Sequence, residues 1–96
     1  MPTFDVVARF LAEYSRLSPA ERAAFDRARR LFVQALREGR KDPRLRAKPF
    51  RKKPGVWELT WAPDGRALWM YGDPVPGRRG PHIIWLRIGT HDIFDR

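Results

Sequence analysis

The 96-residue sequence has no cysteine, only two histidines, and no apolar run near the roughly 18–20 residues that a bilayer crossing takes. The missing thiols exclude a disulfide framework, a thiol nucleophile and a zinc–thiolate site. His82 and His91 do not form a helical His pair, so metal binding has poor support, and neither a metal nor a cofactor is expected. Acidic residues are also scarce, with 11 Asp and Glu against 20 Lys and Arg, which leaves a net charge of +9. The opening segment MPTFDVVARF carries Asp5 and Arg9 where a secretion signal would need an apolar stretch. The expectation is a soluble, cytoplasmic chain with no membrane-bound part.

With 43% hydrophobic and 12% aromatic residues, the chain is not disordered and suffices for one domain over residues 1–96. A positive charge of this size points to nucleic acid, an anionic surface or an acidic protein as partner. The charge is concentrated. Arg37 to Lys53 holds nine basic and two acidic residues, a net +7, leaving +2 for the other 79. Pro43, Pro49, Pro54 and Gly55 argue against helix through residues 40–55. That segment is therefore read as an exposed basic loop, with room for a short strand at Leu45–Phe50, whose cations can follow a phosphate backbone. A solvated loop kept for solubility is the bland alternative.

Ser18-Pro19-Ala20-Glu21 carries the signature of a helix start, and the amphipathic run after it stops at Gly39. Val6, Val7, Phe10, Leu11 and Tyr14 recur at helical spacing, which predicts a first helix over Asp5–Arg16, although Thr3–Val7 also suits a short strand. The short link Leu17-Ser18-Pro19 makes the pair, about residues 5–39, an antiparallel hairpin. Beyond Gly55 the period changes to two. VWELTWA, a turn at Ala62-Pro63-Asp64-Gly65 and RALWMYG form a β-hairpin, and HIIWLRIGT follows the loop DPVPGRRGP as a further strand. The predicted fold is α+β, a helix pair packed on a small antiparallel sheet of three to four strands over about 56–91.

Placing Gly65 in the left-handed position of a bulge pairs Ala62 with Arg66, Thr60 with Leu68 and Glu58 with Met70. Trp57, Leu59, Trp61, Ala67, Trp69 and Tyr71 then share the helix side, and Glu58, Thr60 and Arg66 the open side. In the last strand Ile84, Leu86 and Ile88 are expected in the core, with Ile83, Trp85, Arg87 and His91 opposite. This gathers Glu58, Arg66, Arg87 and His91 on one surface beside the basic loop.

No nucleophile–base triad is visible. Cations, one imidazole near the C-terminus and aromatic rings remain, an inventory suited to RNA cleavage by attack of the ribose 2′-hydroxyl on the adjacent phosphate. Arg66 and Arg87 can hold the phosphate bidentately and His91 can act as acid or base. Lys48 or a neighbour can stabilise negative charge, Arg46, Arg51, Lys52 and Lys53 can bind the strand, and Phe94 can stack on a base. Each has a plainer reading, His91 as a surface residue and Arg66 as a turn residue paired with Glu58.

The order helix, helix, basic loop, hairpin, final strand resembles the RelE/ParE superfamily of bacterial type II toxins, most closely its RelE and YafQ branches. LRAKPF (45–50), VWELTWAPDGRALWMYG (56–72) and IIWLRIGTHDIF (83–94) carry the resemblance. It implies a RelE-like fold and a toxin that cleaves mRNA on the ribosome without metal, neutralised by a cognate acidic antitoxin. By position it implies Lys48 as a catalytic residue, Arg66 as phosphate ligand, His91 as acid/base and Phe94 as the terminal aromatic. Two departures stand out: RelE-branch proteins end with an Arg and a Tyr where this chain has His91 and Phe94, and the DPVPGRRGP loop is longer than usual. A DNA gyrase inhibitor of the ParE kind and a basic RNA-binding module without catalysis are the alternatives.

Overall fold

A computed structural model describes residues 2–90. Its elements are β1 (Thr3–Val6), α1 (Ala8–Ser15), α2 (Pro19–Arg37), a 3-10 turn at Pro43–Leu45, β2 (Lys48–Pro49), β3 (Val56–Ala62), β4 (Gly65–Gly72) and β5 (His82–Thr90). The sheet has five strands in the order β1-β5-β4-β3-β2. β1 runs parallel to β5 and the other neighbours are antiparallel, so the sheet is mixed, not the three to four antiparallel strands expected from sequence.

Helix α2 follows its sequence signals closely. The Ser18 hydroxyl accepts from the Glu21 N–H at 3.1 Å, and the Glu21 carboxylate accepts from the Ser18 N–H at 2.8 Å. The helix ends at Arg37, with Gly39 at φ 65° just beyond. The expected first helix begins late. Residues 3–6 pair with β5 as a strand, Val7 takes the N-cap position, and Thr3 Oγ1 meets His82 Nδ1 at 2.8 Å. Of the residues at helical spacing only Val6 falls in this strand, and the short strand that Thr3–Val7 also suited is what forms, with Phe4, Asp5 and Val6 exposed.

The hairpin separates two findings. Trp57 lies opposite Trp69, Leu59 opposite Ala67 and Thr60 opposite Arg66, two residues away from the predicted register. Because the shift is an even number, the side chains of Trp57 to Thr60 and of Arg66 to Tyr71 keep their predicted faces, whereas Ala62, beyond the irregularity, packs against the helix-side core. The irregularity lies between Thr60 and Ala62, not at Gly65, and Gly65 does not have a positive φ. Glycine is needed there for space: a Cβ on Gly65 would meet the Trp61 indole at 2.5 Å. That ring is fixed by its N–H, which donates to the Arg66 carbonyl at 2.9 Å.

β5 corrects the sequence reading of its faces. Leu68 pairs with Arg87 and Trp69 with Trp85, so Leu86 is an extra residue that interrupts the alternation. Ile83, Trp85 and Ile88 are buried against the helices, while Ile84 and Leu86 are only half-buried. Trp85 sits among Phe10, Phe25 and Phe32, with ring centroids 5.4–5.9 Å away. These rings, with Leu59, Trp61, Ala67 and Trp69, form the core between helices and sheet. One polar atom inside lacks a partner: the Trp69 indole N–H is buried and donates to nothing among the described residues. Such a group costs about 1–3 kcal/mol in a folded protein.

Candidate nucleic-acid interface

The face of the sheet turned away from the helices is built in rows. Lys48 on β2 pairs with Glu58, Glu58 lies opposite Leu68, and Leu68 opposite Arg87. The next row holds Thr60, Arg66 and Gly89. Strand geometry therefore sets the Arg66 and Arg87 Cα atoms roughly 8 Å apart on one face. Val56 and Leu68 form a small apolar cluster here with Phe50 and Leu86. They line the floor of a hollow of about 410 Å³, with Arg9, Lys52, Lys53 and Arg87 also around it. An apolar floor edged by four cations is suited to an amphipathic anion, and a nucleotide is one.

Arg87 is held in place. Its Nη2 and Nε donate to Glu13 Oε2 at 2.6 and 3.2 Å, and Glu13 Oε1 accepts from the Ile88 N–H at 3.2 Å. β1 pairs only with residues 82–85 of β5, so Glu13 from α1 serves the edge that β1 leaves uncovered. Arg66 is committed differently. Its Nη1 donates to the carbonyls of Gly65 at 2.9 Å, Pro63 at 3.3 Å and Ala62 at 3.4 Å, folding the guanidinium back over its own turn. It does not pair with Glu58, whose Oε1 meets Lys48 Nζ at 3.3 Å.

The connector is less open than the basic loop expected from sequence. Leu45 and Asp42 are buried, and the Asp42 carboxylate accepts from the Arg44 backbone N–H, Nε and Nη2 at 3.0, 3.0 and 2.7 Å. Hydrogen bonds from the Arg44 side chain and backbone lower the Asp42 pKa to about 2. Arg46 closes that turn at φ 51° with its side chain exposed. Arg51, Lys52 and Lys53 lie exposed in the turn before β3.

Of the residues chosen from sequence, Arg87, Lys52 and Lys53 meet around one hollow. Arg66 shares their face but not that hollow, and neither Lys48, Arg46 nor Arg51 lines it. His91 and Phe94 lie outside the described residues. Sequence reasoning missed Arg9, Glu13 and the apolar floor. The four-residue spacing of Arg9 and Glu13 on α1 and the pairing of apolar Leu68 and Met70 with the open face were the available signals. Among the described residues no group of three His, Cys, Asp or Glu is placed to hold a metal ion, and no helix is long and apolar enough to cross a membrane.

No family model and no curated protein matches the sequence. Solved structures do match it. A chain of the E. coli DinJ–YafQ toxin–antitoxin complex aligns over 96% of this chain and 94% of its own at TM-score 0.71 and 10% identity. A YoeB/ParE toxin from Agrobacterium tumefaciens aligns over 93% and 98% at TM-score 0.67 and 11% identity. The RelB–RelE antitoxin–toxin complex from Methanococcus jannaschii contains a chain aligned over 95% of each at TM-score 0.60 and 13% identity. At these identities the likeness concerns the fold, and it spans nearly all of the chain.

Proposed function

We propose that this chain, folded as the RelE, YafQ and YoeB/ParE toxins are, is the toxin of a toxin–antitoxin pair and an mRNA-cleaving endoribonuclease acting at the ribosome. The observation that carries the reading is the open-face hollow, where Arg87, Lys52, Lys53 and Arg9 surround an apolar floor. In the proposed reaction the substrate's own 2′-hydroxyl attacks the adjacent phosphorus and the P–O5′ bond breaks. A 2′,3′-cyclic phosphate and a 5′-hydroxyl remain, and no metal-bound water is required as nucleophile. Arg87, oriented by Glu13, places positive charge at the phosphorane, and Lys52 and Lys53 hold the neighbouring phosphates. Arg66 joins the phosphate by exchanging turn carbonyls for phosphate oxygens, and Lys48 adds charge beside it. His91 moves the proton and Phe94 stacks on a base.

An acidic antitoxin is the expected protein partner, in keeping with the named antitoxins, DinJ and RelB, of two matched complexes. Its negative charge would cover the connector and the open face. The test is primer-extension mapping of transcripts after induction of wild type and of His91→Ala. New 5′ ends in the wild type that disappear in a folded His91→Ala protein are expected. Toxicity that persists in the variant, with DNA damage and intact transcripts, would replace this reading by gyrase inhibition. RNA binding without any cleavage would leave a non-catalytic module.

A further inference from the structure

We propose that a second hollow, on the helix side of the sheet, is a pocket for one unstacked nucleobase of single-stranded RNA. The inference rests on the RNA reading above and adds a subsite on the opposite face from the proposed cleavage site.

The hollow has a volume of about 330 Å³ and lies between the C-terminal end of α2 and strands β3 and β4. Four aromatic residues line it: Phe32, Trp57, Trp69 and Tyr71. Trp57 and Trp69 stack at 5.7 Å and 15°, and Tyr71 stands edge-on to Trp69 at 5.0 Å. Tyr71 is 48% exposed although it sits on the core side of its strand, so the helices leave this end of the sheet uncovered. Aromatic walls suit a flat π-system.

Two further features favour a base over an apolar side chain from a protein. Trp69, which lines this hollow, carries an indole N–H that has no acceptor and is itself fully buried, so a base accepts from it only if the ring turns towards the hollow. Every nucleobase has oxygen or nitrogen acceptors along its edge, whereas an aliphatic anchor has none. The second feature is the cation beside the rings. Lys41 Nζ rests 5.1 Å from the centroid of Trp57 and has no carboxylate partner among the described residues. Arg40 is occupied by Glu38 at 2.9 Å, and Asp42 by Arg44 at 2.7 Å, which leaves Lys41 for a phosphate.

The connector ties this hollow to the other one. It contributes Arg40 and Lys41 here and Lys52 and Lys53 to the open face. Arg44, Arg46 and Lys48 lie between them in sequence with their side chains exposed. A strand of RNA following this chain of cations round the β2 edge of the sheet can place a base in the aromatic hollow and phosphates at the open-face hollow.

The test uses the full-length protein and a 12-nucleotide 2′-O-methyl RNA, which cannot be cleaved by 2′-hydroxyl attack, with binding read by fluorescence anisotropy. Lys41→Ala and Tyr71→Ala, both at exposed side chains, should each weaken binding by about 5- to 20-fold. Trp69→Phe keeps a ring and removes the N–H, and should weaken it about 3- to 10-fold. On an abasic oligonucleotide with the same phosphates, the Tyr71→Ala loss should vanish. Wild-type affinity in a folded Tyr71→Ala protein, alongside weakened binding in Lys52→Ala, would overturn the pocket and leave the open-face reading intact. A wild type that binds no RNA would remove both. Undiminished RNA binding by Tyr71→Ala together with lost binding to an acidic protein partner would assign the hollow to a protein anchor instead.

Discussion

Gly65 shows how one residue can be recognised correctly for the wrong reason. The Pro-Asp-Gly sequence marks the turn, but the expected left-handed backbone is absent and the missing Cβ is what matters. Trp61 lies against that position with its N–H tied to the Arg66 carbonyl, so it cannot easily swing away. Gly65→Ala should therefore destabilise the protein by about 1–3 kcal/mol, as overpacking does. Urea unfolding measures it, and an unchanged midpoint would show that the indole yields freely. Arg66 and Arg87 were both legible as strand cations on one face, although both are half-buried there. What each guanidinium binds was not, because Glu13 is 74 residues from Arg87 and only the folded chain brings them together.

At the scale of elements, local signals sufficed wherever the decisive contacts are local. The capping box and terminal glycine of α2 lie within the helix's own sequence, and the two strands of the hairpin alternate visibly. Two of the failures involve an added residue within a strand. The two-residue turn Pro63-Asp64 and the irregularity at Trp61 each moved the hairpin pairing by one, a shift of two that preserved the faces, while the extra Leu86 in β5 reversed them for Ile83, Ile84, Trp85 and Leu86 itself. Hydrophobicity could not reveal it, since five of the six residues from Ile83 to Ile88 are apolar. β1 was legible only as the alternative to helix at Thr3–Val7, because its hydrogen-bond partner lies at the far end of the sequence. The 3-10 turn Pro43–Leu45 carries a pH dependence of its own. Asp42, its N-cap, has a pKa lowered from 3.8 to about 2 by bonds from Arg44. A carboxylate depressed by folding stabilises fully above its unfolded pKa, and the contribution is lost as pH falls through the folded value. Asp42→Asn should be less stable than wild type at neutral pH, with the gap closing as pH drops from about 4 towards 2. Urea midpoints across that range test it, and a gap that stays constant would discount the carboxylate's charge.

For the molecule as a whole, the +9 charge and its concentration in one connector make nucleic-acid affinity a salt-dependent quantity. Each phosphate neutralised on a single strand contributes roughly 0.7 to the slope of log affinity against log salt. Replacing Lys52 and Lys53 together by alanine should lower that slope by about 1.4 and weaken binding to all sequences alike. An unchanged slope would mean that these two ammonium groups touch no phosphate. The fold was legible in class, two helices and a sheet with a cationic link between them, and the candidate site only in part. Its cations stand out in the sequence, but the floor of Val56, Leu68, Phe50 and Leu86 depends on register, and register depended on the bulges.

The parallel pairing of β1 with β5 has a consequence for synthesis. On the ribosome, Thr3–Val6 leave the exit tunnel long before His82–Trp85 are made, so the first strand emerges with nothing to join. Closing that pair is long-range loop closure of the kind that makes folding slow, and it cannot occur before His82–Trp85 have themselves left the tunnel. Arg87 arrives on that same late strand. A nascent chain therefore exposes its cationic connector early, but the hollow that Arg87 completes does not exist until β5 has emerged as well.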